Sequence, residues 1–228
     1  MAAFSRWTKG IVICGGVLAA ALVAVAAFTG DYGGDSELAR IRNLQDSRDI
    51  AGLESVARTA DTRVARKAVA AMGRLDAPAV APLVKLVQSD QRPEIRAKAA
   101  ITLNQVISKG VIEQKDAQQA LVDAAKSDSD PNVRAAALTT LGHTRAFEAM
   151  PTVLDGLEDD DVNVRRAAYQ SVYKILRVRF LYRADDPPEK RQQVVKMIRG
   201  MWSDPGARKR VEEYYKGRFK EIYKKHAR

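Results

Sequence analysis

The chain has little of what most catalytic or metal-bound architectures need. It contains one cysteine, Cys14, and two histidines, His143 and His226, in 228 residues. An intramolecular disulfide is therefore impossible and a cysteine-based metal cage is excluded. Aromatics make up only 6% of the residues. With alanine dominating the apolar set, this composition favours helices packed closely through small side chains over a sheet of β-branched strands. Glycines are sparse, and the sequence contains no P-loop, dinucleotide fingerprint, HExxH or nucleophile elbow. The acidic run Glu158-Asp159-Asp160-Asp161 lacks the alternating ligands and turn glycine of a calcium loop. No cofactor, metal or small-molecule substrate is expected, and the chain reads as a non-enzyme.

The net charge of +10 would ordinarily suggest nucleic acid or an anionic surface as a partner. Its distribution argues otherwise. Residues 1–30 carry +2, 31–60 carry −2, 61–184 carry +4 and 185–228 carry +6. Residues 11–28, from Ile11 to Phe28, hold no charge over 18 positions and follow Arg6 and Lys9. As a helix that run is about 27 Å long, just short of a bilayer core of about 30 Å. An uncleaved signal anchor uses the whole run, whereas a cleaved signal uses its first part and a small-residue site at Ala24-Val25-Ala26. In both cases the flanking charges keep the N-terminus cytoplasmic and export the rest, to the periplasm in a Gram-negative bacterium. Export also removes a nucleic-acid partner from reach.

A repeat governs the middle of the chain. DTRVARKAVAAMG (61–73), RPEIRAKAAITLN (92–104), DPNVRAAALTTLG (130–142) and DVNVRRAAYQSVY (161–173) align, with anchors Val64, Ile95, Val133 and Val164 spaced by 31, 38 and 31 residues. The extra seven residues fit an extended turn around 108–114. Pro82 and Pro151 each stand 18 residues after an anchor and open a second apolar run. Small or apolar groups at 0, +4 and +8 form one helical stripe, and the Asp before each helix is placed to cap it. One such hairpin cannot bury both its faces, so the units must stack.

These strings resemble the HEAT-repeat family, and more closely its short bacterial form found in phycobilin lyases. The resemblance covers residues 49–180. It implies an all-α fold: a right-handed α-solenoid of about four helical hairpins, preceded here by a transmembrane or signal helix and closed by a C-terminal helical cap. The divisions are 1–30 for the membrane segment, 31–48 for a linker and capping helix, 49–183 for the solenoid and 184–228 for basic C-terminal helices. The resemblance also implies that Asp61, Arg96, Asp130, Arg134, Asp161 and Arg165 bond between adjacent turns. Two departures stand out: Ala65 occupies an Arg slot and Arg92 an Asp slot.

At the far end, the fourth unit's helix is expected to run through Val178 to Leu181, followed by helices over 188–202 and 207–226. The last places Val211, Tyr215, Phe219, Ile222 and His226 on one face, with Lys209, Lys216, Lys220 and Lys224 largely elsewhere. In the family the second helix of each unit lines the concave side. Removing the stripe leaves +2, +3, +6 and +10 outward, which are Arg66, Lys67, Arg74, Lys98, Thr139, His143, Arg166, Gln170 and Lys174. The expected function is a membrane-tethered, extracytoplasmic scaffold or adaptor. It binds an acidic or membrane-embedded protein partner through this surface and the basic C-terminal helix. The alternative is an accessory factor for an enzyme or cofactor-loading system of the bilin-lyase kind; a nucleic-acid binder is a further one.

Overall fold

The computed structural model describes residues 36–107, 115–211 and 213. Among these residues the secondary structure is entirely helical. A first helix, α1, covers 36–46 and buries Ile41 against the repeats, with Leu44 packed beside it. Eight helices follow as four hairpins: α2 (Ile50–Thr59) with α3 (Thr62–Met72), α4 (Val80–Ser89) with α5 (Pro93–Ile107), α6 (Lys115–Ser127) with α7 (Pro131–Thr144), and α8 (Met150–Asp155) with α9 (Val162–Leu176). Helix α10 (Pro188–Ser203) packs on the last hairpin, and a helix α11 begins at residue 205. The turn expected over 108–114 lies outside the described residues, as do the segment 11–28 and most of the helix expected over 207–226. No helix among the described residues is long and apolar enough to cross a membrane.

The hairpins stack in two layers. Helices α3, α5, α7 and α9 pack side by side, and α4, α6 and α8 do the same behind them. The expected stripe is the seam: Val64, Ala68 and Met72, and their counterparts through Val164, Ala168 and Val172, are all buried. Asp61, Asp130 and Asp161 cap α3, α7 and α9 by accepting hydrogen bonds from backbone N–H groups two or three residues on. Between neighbouring second helices, buried hydroxyls replace apolar contact. Thr140 Oγ1 donates to the Ala100 carbonyl at 2.9 Å, and Ser171 Oγ donates to the Leu138 carbonyl at 2.8 Å.

Two expectations are corrected. Position +3 does not face outward throughout, because Ala136 and Ala167 are only 7% and 8% exposed where α5, α7 and α9 close up. Nor does α9 continue to Leu181. It ends at Leu176, Arg177 turns left-handed with φ 57°, and the chain crosses the end of the stack as a strap without helical structure. Along the strap Phe180, Tyr182 and Ala184 point inward on alternate residues. The Tyr169 hydroxyl accepts from the Phe180 N–H at 3.2 Å and donates to its carbonyl at 2.5 Å, and the Tyr182 hydroxyl donates to the Leu157 carbonyl. These bonds hold the strap against the last hairpin, which a continued helix could not do.

Candidate partner-binding surface

Charge is sorted between the two layers. The first helices, α2, α4, α6 and α8, carry four acidic and four basic residues. The second helices, α3, α5, α7 and α9, carry nine Lys and Arg against a single acid, Glu94. The balancing acids sit in the turns, where three of the nine cations are used.

Those three form a ladder. Arg96 makes a two-pronged pair with Asp128 at 2.7 Å for both contacts, and Arg134 does the same with Asp159 at 2.9 Å. Each guanidinium also donates to carbonyls of its own turn, so it clamps two successive units. Arg165, at the end of the series, donates to the Ala184 carbonyl of the strap at 2.8 Å and to the Asp159 carbonyl at 2.7 Å. Arg96 and Arg134 thus bond from one turn to the next, and Arg165 bonds to the strap. The acid partners, however, are Asp128 and Asp159, two residues before the capping aspartates Asp130 and Asp161. Asp61 likewise serves only as a cap. The two departures in the repeat prove to be one exchange. Ala65 cannot reach Asp90, so Arg92 pairs with Asp90 at 3.0 Å and reaches back to the Ala60 carbonyl at 2.7 Å, joining the first two units in reverse.

The other cations of the second-helix layer fall in two groups. Arg66 and Lys67 of α3 and Lys98 of α5 line one groove of about 510 Å³ with Arg63, Thr62 and Ala70, and no acidic side chain lines it. Arg166, Gln170 and Lys174 lie on α9, with α7 between the groups. Arg166 donates to Asn163 Oδ1 at 3.2 Å on its own helix. Arg74 is drawn out of the surface, donating to Gln45 Oε1 of α1 at 2.8 Å. Lys209 lies 3.9 Å from Glu213 in α11. Lys216, Lys220 and Lys224 lie outside the described residues. Arg63, which the repeat arithmetic passed over, belongs to the first group because it lines the same groove, one residue before the anchor Val64.

The α9 group holds a polar pair of its own. Lys174 Nζ is 2.8 Å from His143 Nε2 of α7, so the ammonium donates to a neutral imidazole protonated on Nδ1. Burial, and then the Lys174 charge, push the His143 pKa below the usual histidine value, and burial lowers that of Lys174. Because the folded state resists protonating His143, stability is lost as pH falls through the ordinary histidine value towards the folded one. In a His226→Gln chain, NMR titration of the remaining imidazole should give a midpoint below about 6.5. Lys174→Met should move it upward; an unchanged midpoint would assign the whole depression to burial. Among the described residues no group of three or more His, Cys, Asp or Glu is placed to hold a metal ion.

The chain matches the HEAT-repeat family over residues 50–131 and 118–179. It is a HEAT-repeat protein. Among solved structures it is similar to the complex of CpcE and CpcF of phycocyanin lyase from Nostoc sp. PCC7120, with 23% identity, a TM-score of 0.48 and coverage of 72% of this chain and 96% of that one. It is also similar to Kap121p, with 19% identity, a TM-score of 0.47 and coverage of 75% of this chain and 17% of that one. No curated protein sequence matches it. The HEAT fold accounts for the two-layer stack and for a second-helix layer open to a protein partner.

Proposed function

We propose that this HEAT-repeat protein is a non-enzymatic scaffold or adaptor that holds an acidic segment of a protein partner on its second-helix layer. It is tethered to a membrane by residues 11–28, and its repeats stand outside the cytoplasm. The sorting of charge carries the reading. Once the ladder has used Arg96, Arg134 and Arg165, the second helices still present Arg63, Arg66, Lys67, Lys98, Arg166 and Lys174 against the lone Glu94. A surface dense in one sign steers an opposite charge towards itself and repels wrong partners. The apolar run behind Arg6 and Lys9 supports the tether and its direction.

The test is affinity capture from solubilised membranes with the full chain and with Arg66, Lys67, Lys98, Arg166 and Lys174 changed together to Glu. The native chain should hold a stoichiometric partner that the reversed chain binds about a hundredfold more weakly, because like-charge contacts replace attraction. Unfolding should remain cooperative, with little cost from the exposed Arg66, Lys67 and Arg166 and any loss of stability coming from the half-buried Lys98 and Lys174. Undiminished capture by the reversed chain would sink the surface assignment. Recovery of a coloured prosthetic group with the native chain would favour a cofactor-loading role instead. A reporter fused after Arg228 that is active in the cytoplasm would overturn the topology.

A further inference from the structure

The cations of the second-helix layer are arranged as well as concentrated. Arg66 and Arg166 each stand two residues after their anchors, Val64 and Val164, so they share one height on α3 and α9, the two ends of the layer. The same height is held by Ala97 on α5 and Ala135 on α7, both packed partly into the core. A row crossing the four helices therefore reads Arg, Ala, Ala, Arg. Lys67 and Lys98 thicken its first end across the groove between α3 and α5. Among the described residues no carboxylate pairs with Arg66, Lys67, Lys98 or Arg166, and Arg166 meets the neutral Asn163 side chain. Lys174 lies further along α9, where it donates to His143, so the second end belongs to Arg166. Beside the row rises one apolar side chain. Ile101, one turn beyond Ala97, is 45% exposed; the other exposed large apolar side chains among the described residues, Val178, Leu181 and Met197, lie in the strap and α10. The outward positions of α7 next to it, Ala135 and Thr139, are uncharged.

We infer, building on the adaptor reading, that the layer recognises an extended partner segment with two acidic points on either side of an uncharged stretch bearing a large apolar residue. Three helix spacings of about 8–10 Å separate α3 from α9, roughly 25–30 Å in all. An extended chain rises about 3.4 Å per residue, so it covers that span in about eight residues, and residues eight apart point to the same side. A helix needs about eighteen residues for the same distance. A carboxylate at the first point meets Arg66, Lys67 and Lys98, and one about eight residues on meets Arg166. An apolar side chain midway points the same way and lies over the uncharged middle against Ile101. Other occupants use less of this surface. A second copy would set one row of arginines against another. A phosphate backbone, of nucleic acid or of a bilayer, carries its charge without a break and gains nothing from a neutral middle and an exposed isoleucine.

The test uses the full chain in zwitterionic nanodiscs and fluorophore-labelled peptides of about thirteen residues, with binding followed by anisotropy. The split peptide carries two glutamate pairs about eight residues apart, with a leucine midway in a serine and threonine background. The block peptide has the same composition with its four glutamates together. The split peptide should bind at least tenfold more tightly. Arg66→Glu and Arg166→Glu should each weaken it about tenfold, whereas the block peptide should respond to only one of the two. Ile101→Ser should weaken the split peptide about fivefold and leave unchanged a split peptide whose leucine is replaced by serine. Equal affinity for the two peptides, or a split peptide indifferent to Arg166→Glu, overturns the two-point pattern and leaves the acidic-partner reading standing; that reading falls only if the chain with five reversals still captures its partner. Binding of neither peptide also overturns the pattern. So does displacement of the split peptide by single-stranded DNA or anionic vesicles at equal charge, which marks a phosphate backbone, or a self-association that the peptide relieves, which marks a second copy.

Discussion

Replacing Gly142 with alanine is expected to destabilise the protein by about 3 kcal/mol, lowering the thermal midpoint by roughly 6–12 °C. A Cβ at this position would lie 2.4 Å from Ser171 Oγ and 2.6 Å from Ser171 Cα. A side-chain atom could rotate away, but the α9 backbone cannot, so α7 and α9 would have to separate. Separation also strains the 2.8 Å bond from Ser171 to the Leu138 carbonyl, a buried bond whose loss leaves an unsatisfied group. Other glycines calibrate the effect. Gly73 holds the same place in the first unit, but the close contacts of a Cβ there are with side-chain atoms, Thr102 Cγ2 at 2.6 Å and Gln105 Oε1 at 2.7 Å, while the nearest backbone atom, the Ala70 carbonyl oxygen, is at an ordinary 3.5 Å. Gly73→Ala should therefore cost less. Gly200 has nothing within 4 Å and lies in α10, so Gly200→Ala should be neutral or stabilise by up to about 1 kcal/mol. Differential scanning calorimetry on the three variants checks the order. If Gly142→Ala unfolds no earlier than Gly73→Ala, the inter-helix contact is not what limits this seam.

That seam was the most legible part of the sequence, and the reason is physical. Close approach of helices demands small residues at regular intervals, and a regular interval is what a repeat displays; Ala68, Ala99, Ala137 and Ala168 announce the buried face directly. The acidic caps were legible for the same reason, being one residue from the helix they serve. The rungs of the ladder were not. Arg96 and Arg134 find their acids 32 and 25 residues away, and the capping aspartates Asp130 and Asp161, only two residues farther on, carry the same charge. A usable signal was present, since Asp90, Asp128 and Asp159 each precede their unit's arginine by six residues. The strap was misread because Ile175, Leu176, Val178 and Leu181 fall at helical spacing. What decides that segment is the pair of tyrosine hydroxyls, whose partners lie outside any local window. The binding surface was legible as charge but not as arrangement. Nothing local distinguishes Arg74, tied to α1, from Arg66, open to the groove, or divides the cations between α3 and α9.

Removing the charge of one rung, with Asp159→Asn, is expected to cost about 2–3 kcal/mol at neutral pH and almost nothing once the pH has fallen below the folded-state pKa of Asp159. The pair is largely shielded, with the Arg134 and Asp159 side chains 18% and 14% exposed, so truncating one partner strands the other's charge in a poorly hydrated site. Asp159 also accepts the Asp161 N–H at 2.9 Å, which orders the turn before α9 is capped. The pH dependence follows from the carboxylates' environment. Burial works to raise the pKa of Asp90, Asp128 and Asp159, but the arginine hydrogen bonds, a backbone N–H and the guanidinium charges outweigh it and hold all three below the usual carboxylate range. A folded-state pKa below the unfolded one contributes stability that is complete above about pH 4 and drains away as pH falls through the folded value. The native chain should therefore lose stability steeply under acid, each unit letting go of the next. Asp128→Asn and Asp159→Asn together should flatten that slope while lowering the plateau, as urea midpoints measured from pH 2 to pH 7 would show. A double variant whose acid slope matches the native one would place the acid sensitivity elsewhere and reduce the ladder to geometry.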